Sequence, residues 1–536
     1  MNAAPDGQET SPEQTGAEGR PETPSPSTEA AESPVAVAVA PMPPVATVAP
    51  PVVSEPLFFP NWRGPTTPPT RLVLGAAAAA GLTTAVVIPL NRPGIGWFVA
   101  AVVAAVVVAA VARQAHRLDP APHARRAYAV DAAWGLAAVG LVGVTAVRDA
   151  EWLIALCLLA APCAASIAVA GRHFRSLVFS ALAVPLAAIR ALPWAGRALW
   201  AARQGAGGQG ARTVVAGAVG LCLVAVFAPL LASADPAFAR LLDDLMPTVD
   251  DAGVARAVLF TLSACAVLGC GFLLLAPPAP PGPSASEPAR LRRVEWALPV
   301  GLLVALFGMF VGVQFATLFG SDDYVQRTTG VTYAEYARGG FWQLLAVTVL
   351  ALGVVLLASR YAPTPTSADR IWKRSLLAAL AGLTLVIVAS ALRRMWLYQE
   401  AYGFTTLRLV VLTCELWLGA CFLLVLVAVL RLRARPVLRE MTAAGVLALL
   451  ALAAINPDGF VASSNLDRYA TTGKLDTSYL RTLSADAVPA LAKLPDAQRC
   501  EVLPYIAAGM GWPEESWTAW NASRTTAREV LAEMRC

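Results

Sequence analysis

Long apolar runs separated by short polar loops set the pattern from Arg71 to Asn456. Crossing ~30 Å of hydrocarbon takes roughly 20 helical residues. By that measure the runs at 72–90, 94–112, 128–147, 152–170, 212–232, 256–276, 296–318, 341–358, 375–392, 409–430 and 440–456 predict eleven transmembrane helices. The stretch 177–203 is different. LVFSALAVPLAAI is short, and Arg190, Pro193, Trp194, Arg197, Trp200 and Arg203 follow it, a mixture of basic and aromatic residues that suits a helix lying in the membrane interface. From Asp458 onward the pattern turns amphipathic with helical spacing, and Asp476 and Ser484 are placed as N-caps.

The expected fold is therefore all-α: a polytopic bundle over 71–456, a Pro/Ala/Glu-rich tail over 1–70, and a small helical C-terminal domain over 457–536. The tail holds 16 of the 41 prolines and eight acidic residues against Arg20 and Arg63, a composition that cannot bury a core and is read as disordered. It opens without a basic segment ahead of an apolar one, so no cleavable signal peptide is expected.

Composition agrees with a bilayer as solvent: 57% hydrophobic and 14% charged residues, with a mean hydropathy of +0.58. The net charge of +5 is small and confined to particular loops. Loops 113–127, 171–212, 277–295, 359–374 and 431–440 carry 21 Lys or Arg, and the alternating set carries fewer than half as many. The positive-inside rule then puts the first set in the cytoplasm, the N-terminus with it, and the C-terminus on the extracytoplasmic side of the bacterial cell membrane. Neither the charge distribution nor any motif suggests nucleic acid; the expected partners are the lipid bilayer and an extracytoplasmic protein or lipid.

The candidate chemistry is sparse. The three histidines, His116, His123 and His173, fall in basic loops, which leaves no supply for a membrane haem or a zinc site, so neither cofactor nor metal is expected. Seven of nine cysteines lie in spans and read as packing; Cys500 and Cys536 are candidates for a disulfide. Glu415 stands inside the tenth span, where charge is costly. Its expected partner is an Arg394 reaching inward from a hairpin at 393–408, as a structural clamp or as a site for an anion, a lipid headgroup or a proton. Asp131 is expected to pair with Arg125 and Arg126. Asp235, Asp322 and Asp323 offer carboxylates in the outer loops.

Four segments taken together, TYAEYARGGFW (332–342), RRMWLYQEAYGFTTLR (393–408), INPDGFVASSNLDRY (455–469) and LDTSYLRTLSADAVPAL (475–491), resemble a family of bacterial polytopic membrane proteins known as a domain of unknown function. The resemblance implies a multi-pass inner-membrane protein and no activity. Its characteristic residues would fall on Tyr333, Tyr336, Arg394, Tyr398, Tyr402, Gly403, Arg408, Asn456, Asp458, Asn465, Asp476, Tyr479, Asp486 and Pro489. Arg393, Arg394, Tyr398, Tyr402, Arg408, Glu415, Asn456 and Asp458 make one candidate polar cluster, with Asp235, Asp322, Asp323, Tyr333, Tyr336, Asp476, Tyr479 and Asp486 as secondary candidates, and the four segments form either a shared site or the contact that docks the C-terminal helices. The functional readings are a non-enzymatic envelope scaffold or sensor, a transporter or flippase-like carrier, and a membrane-embedded transferase acting on a lipid-linked substrate.

Overall fold

The computed structural model describes residue 62 and residues 64–118, 124–170, 177–205, 251–277, 292–318, 341–362, 365–431, 437–511 and 516–534, with scattered positions between 220 and 240. Among the described residues every element is a helix. In chain order they are α1 (Arg71–Val87), α2 (Ile95–Leu118), α3 (Ala124–Val147), α4 (Glu151–Ala170), α5 (Leu177–Gly205), α6 (Asp251–Leu275), α7 (Arg293–Leu318), α8 (Phe341–Tyr361), α9 (Ser367–Tyr402), α10 (Thr406–Arg431) and α11 (Val437–Ile455). The C-terminal set is α12 (Pro457–Thr472), α13 (Thr477–Leu480), α14 (Val488–Leu491), α15 (Asp496–Met510) and α16 (Ala522–Ala532), with 3₁₀ turns at Ala485–Ala487 and Trp517–Ala519.

Nine of these helices are long and apolar enough to cross a membrane: α2, α3, α4 and α6 to α11. A helix satisfies its own backbone polar groups, which is what hydrocarbon demands of any segment it surrounds. The protein is an integral, multi-pass α-helical membrane protein. Of the other two expected spans, 72–90 is the shorter, 17-residue α1, and 212–232 lies for the most part outside the described residues.

Side chains divide the bundle into three apolar clusters. The first is formed by α1, α2, α5 and α6, where Gly81 meets Phe260 and Gly271 meets Val73, an antiparallel contact between α1 and α6. In α5, Ala183, Ala187, Ala191 and Trp194 form one buried stripe on that cluster. The last residues of the expected tail are held here as well. Trp62 is buried and donates its indole N–H to the Ala276 carbonyl at 2.7 Å, while Arg190, Trp194 and Arg197 donate to the carbonyls of Trp62, Thr67 and Pro65. The tail reading over 1–61 lies outside the described residues.

The second cluster joins α7, α8, α9 and α10. At one end of it Thr366 and Asp369 form a capping box for α9, and Arg293 of α7 reaches Asp369 at 2.5 Å. Helix α9 corrects the expected hairpin: it runs unbroken to Tyr402, so Arg393 and Arg394 are helical and only Gly403 to Thr405 turn the chain. Asp131 finds a partner on another helix, Arg439 of α11 at 3.7 Å.

The third cluster positions the site. Trp134, Leu141, Leu153 and Cys157 of α3 and α4, Val446 and Leu452 of α11, and Leu480, Val488, Leu491, Val502 and Ile506 of the C-terminal helices bury together. The C-terminal helices thus share a core with the bundle, as so short a segment needs if it is to exclude enough apolar surface.

Candidate functional site

The site lies where α3 turns into α4 and α11 turns into α12. Asn456 makes the second turn by adopting a left-handed conformation (φ 58°), one that asparagine tolerates better than most residues, and its side chain caps α12 by accepting from Gly459 N–H. Pro457 occupies the first helical position, where its missing N–H costs nothing. Asn456 also donates to the carbonyl of Asp486 at 3.1 Å.

Two buried carboxylates follow from that turn. Asp486 accepts the backbone N–H groups of Asp149 and Ala150 at 2.8 and 2.9 Å, the hydroxyl of Ser484 at 3.2 Å and that of Ser523, and it faces Arg148 at 3.8 Å. Asp458 accepts from the Ser484 N–H at 3.0 Å and hydroxyl at 2.6 Å, and from the Trp152 indole at 3.4 Å. Ser484 therefore spends its hydroxyl on Asp458 and not on a helix cap, whereas Asp476 caps α13 through Tyr479 N–H. Burial pushes the Asp486 carboxyl above the ordinary carboxylate range, against the pull of its hydroxyl and amide donors. Hydrogen bonds from Ser478 and Tyr479 hold that of Asp476 below it.

A second set of contacts reaches the α1–α2 and α3–α4 turns from the last helices. Arg524, 1% exposed, donates to Asp149 at 2.6 Å and to the carbonyls of Pro93 and Ala519 at 3.0 and 2.5 Å. Burial raises the Asp149 carboxyl despite this partner. Asn521 caps α16 and donates to the carbonyls of Thr145 and Arg148 at 2.9 and 2.8 Å. Arg148 donates to the carbonyls of Ala453 and Ala454 in the last turn of α11. Arg92 donates to those of Gly509 and Met510. A cleft of about 190 Å³ remains between Arg148, Asn456, Asp486, Ser523 and Thr526.

The α9–α10 turn is fixed by the same helices. Asn465 of α12 brackets Phe404, accepting its N–H at 3.1 Å and donating to its carbonyl at 2.8 Å, and the Tyr479 hydroxyl accepts from Thr406 N–H at 2.6 Å. Gly403 sits at φ 85°, and a Cβ there would stand 2.6 Å from Asn465 Oδ1. Gly403→Ala combines left-handed strain with a clash and is expected to cost about 1–3 kcal/mol, read as a lower thermal midpoint and faster proteolysis at 403–406. A stability equal to wild type would contradict this account of the turn.

The expected polar cluster thus separates. Asn456, Asp458, Tyr479 and Asp486 belong to the docking contact, joined by Gly403 and Asn465. Arg408 donates to the Gly403 carbonyl and lies 4.2 Å over the Tyr398 ring, itself 5.0 Å from that of Tyr402. Arg393 is exposed. Arg394 is buried and donates to Gln314 of α7 at 2.8 Å, not to Glu415, whose buried carboxylate oxygens have no hydrogen-bond partner. The intramembrane clamp of Arg394 with Glu415 is therefore absent: Arg394 turns toward α7 and not toward α10. Asp235 is exposed and accepts from Ala237 N–H. Asp322, Asp323, Tyr333, Tyr336 and Cys536 lie outside the described residues. Cys500 is disulfide-bonded, and the other six described cysteines are free.

Among the described residues no group of three His, Cys, Asp or Glu could hold a metal ion. Arg148, Asp149, Asn521, Ser523 and Arg524 are the residues that sequence reasoning missed. Arg148 left a trace as a lone arginine in a short two-helix turn belonging to the arginine-poor set of loops.

No curated protein and no solved structure matches the chain. A family model described as "Domain of unknown function (DUF4153)" matches residues 136–494, from within α3 to just past α14. The matched segment holds Arg148, Asn456, Asp458 and Asp486, while Asn521 and Arg524 lie beyond it. The turn at Asn456 and the two carboxylates it brings together thus fall within a match covering two thirds of the sequence, and the chain belongs to this family of unknown-function domains.

Proposed function

We propose that the protein is a non-enzymatic scaffold or sensor of the bacterial cell membrane that presents its C-terminal helices, in a fixed orientation, to an extracytoplasmic protein or lipid. The observation that carries this reading is the buried polar network around Asp486 and Asp458. It fastens the C-terminal helices to the bundle with side chains that would otherwise be left unsatisfied, and it engages both carboxylates of this contact in hydrogen bonds within the chain. In the proposed topology the N-terminus is cytoplasmic and the C-terminus extracytoplasmic. Support for it comes from the excess of Lys and Arg in alternate loops, and from the disulfide-bonded Cys500, a state typical of oxidising compartments.

The test is a full-length fusion carrying alkaline phosphatase after Cys536, combined with photo-crosslinkers at the exposed Tyr505 and Trp517. Phosphatase activity and a discrete crosslinked envelope protein or lipid are expected. Activity only of a cytoplasmic reporter at the same position would overturn the topology, and crosslinkers that capture nothing specific would overturn the presenting role.

A further inference from the structure

Glu415 lies well inside the bundle. It is ten residues into α10, or ~14 Å from its first residue at 1.5 Å per residue. On α10, Val411, Glu415, Leu418, Phe422 and Val425 form one buried stripe at helical spacing. Gly419, one turn further on, has its Cβ position 3.4 Å from Val388 of α9. The tight turn at 403–405 makes these two helices antiparallel, so Glu415 stands at about the depth of Leu392. Its side chain is 1% exposed, and neither carboxylate oxygen has a hydrogen bond or an ion pair.

The charges on the packed elements are engaged elsewhere or distant. On α9, Arg393 and Glu400 are exposed and Arg394 donates to Gln314. Arg439 of α11 pairs with Asp131, and Glu440 beside it is in the first turn of that helix. Arg360 is in the last turn of α8, Asp458 of α12 is held by Ser484, and Arg408 of α10 itself donates to Gly403. An ionised carboxylate in such a place would forgo its hydration for nothing, at a cost far above that of burying a neutral acid. Gln399, also 1% exposed, keeps its Nε2 without a partner nearer the turn end of α9.

We propose that Glu415 is a proton-binding site of the membrane bundle, its carboxyl held as the neutral acid between α9 and α10. This is independent of the scaffold reading, and either can fail alone. An acid of this kind gives the bundle one exchangeable proton at membrane depth.

The test uses the full-length protein in lipid vesicles and dicyclohexylcarbodiimide, an apolar reagent that attacks protonated carboxyls. The acid O–H adds across one C=N bond, and the resulting isourea rearranges to a stable N-acylurea, so no other reactant is consumed. At neutral pH the peptide containing Glu415 is expected to gain one carbodiimide, with the gain lost in Glu415→Gln and fading as pH rises. Glu415→Gln is also expected to remove one protonated-carboxyl stretch from the infrared spectrum, a readout that does not depend on access of the reagent. Wild-type protein that is unmodified and lacks that band would show an ionised Glu415 and overturn the proposal. Protection by sodium but not by choline would reassign the ligand to a metal cation and overturn it equally.

Discussion

Asp486→Ala is expected to release residues 457–534 from the bundle and to lower the stability of the docked state by about 3 kcal/mol or more. The figure follows from what the substitution strands. The N–H groups of Asp149 and Ala150 and the hydroxyl of Ser523 lose their shared acceptor, and a buried donor left unsatisfied costs ~1–3 kcal/mol. Limited proteolysis of the purified protein should show cleavage within the C-terminal helices of the variant under conditions that leave wild type whole. Equal resistance would mean that the apolar cluster alone holds these helices. The same residue sets a pH dependence. Because burial raises its carboxyl and that of Asp149, the docked state holds protons more tightly than the released one. Release therefore sheds protons, and docking weakens as pH rises from the ordinary carboxylate range through the raised values, then regains strength on acidification. Asp486→Asn should flatten part of that slope, since it removes one titrating group and keeps an acceptor.

How far the sequence foretells this arrangement depends on the range of the forces involved. Helix placement is a local matter of apolar length, so nine of the eleven expected spans reappear among the described residues. The turn at Asn456, Pro457 and Asp458 is legible for the same reason, as is the cap at Asp476. The end of α9 is not. Arg393 and Arg394 look like a loop by charge, but helix continues wherever neighbouring helices supply partners, and Gln314 on α7 is 80 positions away from Arg394. Ser484 shows the same limit on a smaller scale. A hydroxyl read as a cap finds a better acceptor in Asp458, 26 positions earlier, once the third dimension supplies one. Tyr479, Asn465 and Asp486 are carried by the family resemblance as positions, yet what each does becomes visible only in the folded chain.

Arg524 makes the limit sharpest and carries the second large effect. An arginine in an amphipathic C-terminal helix reads as a solvated charge, yet Arg524 is almost wholly buried, bridging Asp149 to two backbone carbonyls. Removing one member of a buried ion pair costs ~3–5 kcal/mol, because the other is left charged and dry. Arg524→Met keeps much of the volume and removes the charge, so it should destabilise docking by about that amount. Asp149→Leu alone should do much the same by stranding the guanidinium. Combining the two removes both charges, and the double variant should recover a substantial part of the loss, a coupling a thermal-denaturation cycle would measure directly. Additive losses would mean that the carbonyls of Pro93 and Ala519 hold Arg524 and that the ion pair contributes little. Recovery would place the coupling between the α3–α4 turn and the final helix. In that case a segment beyond the family match is a working part of the clasp, since Asp149 lies within the match and Arg524 outside it.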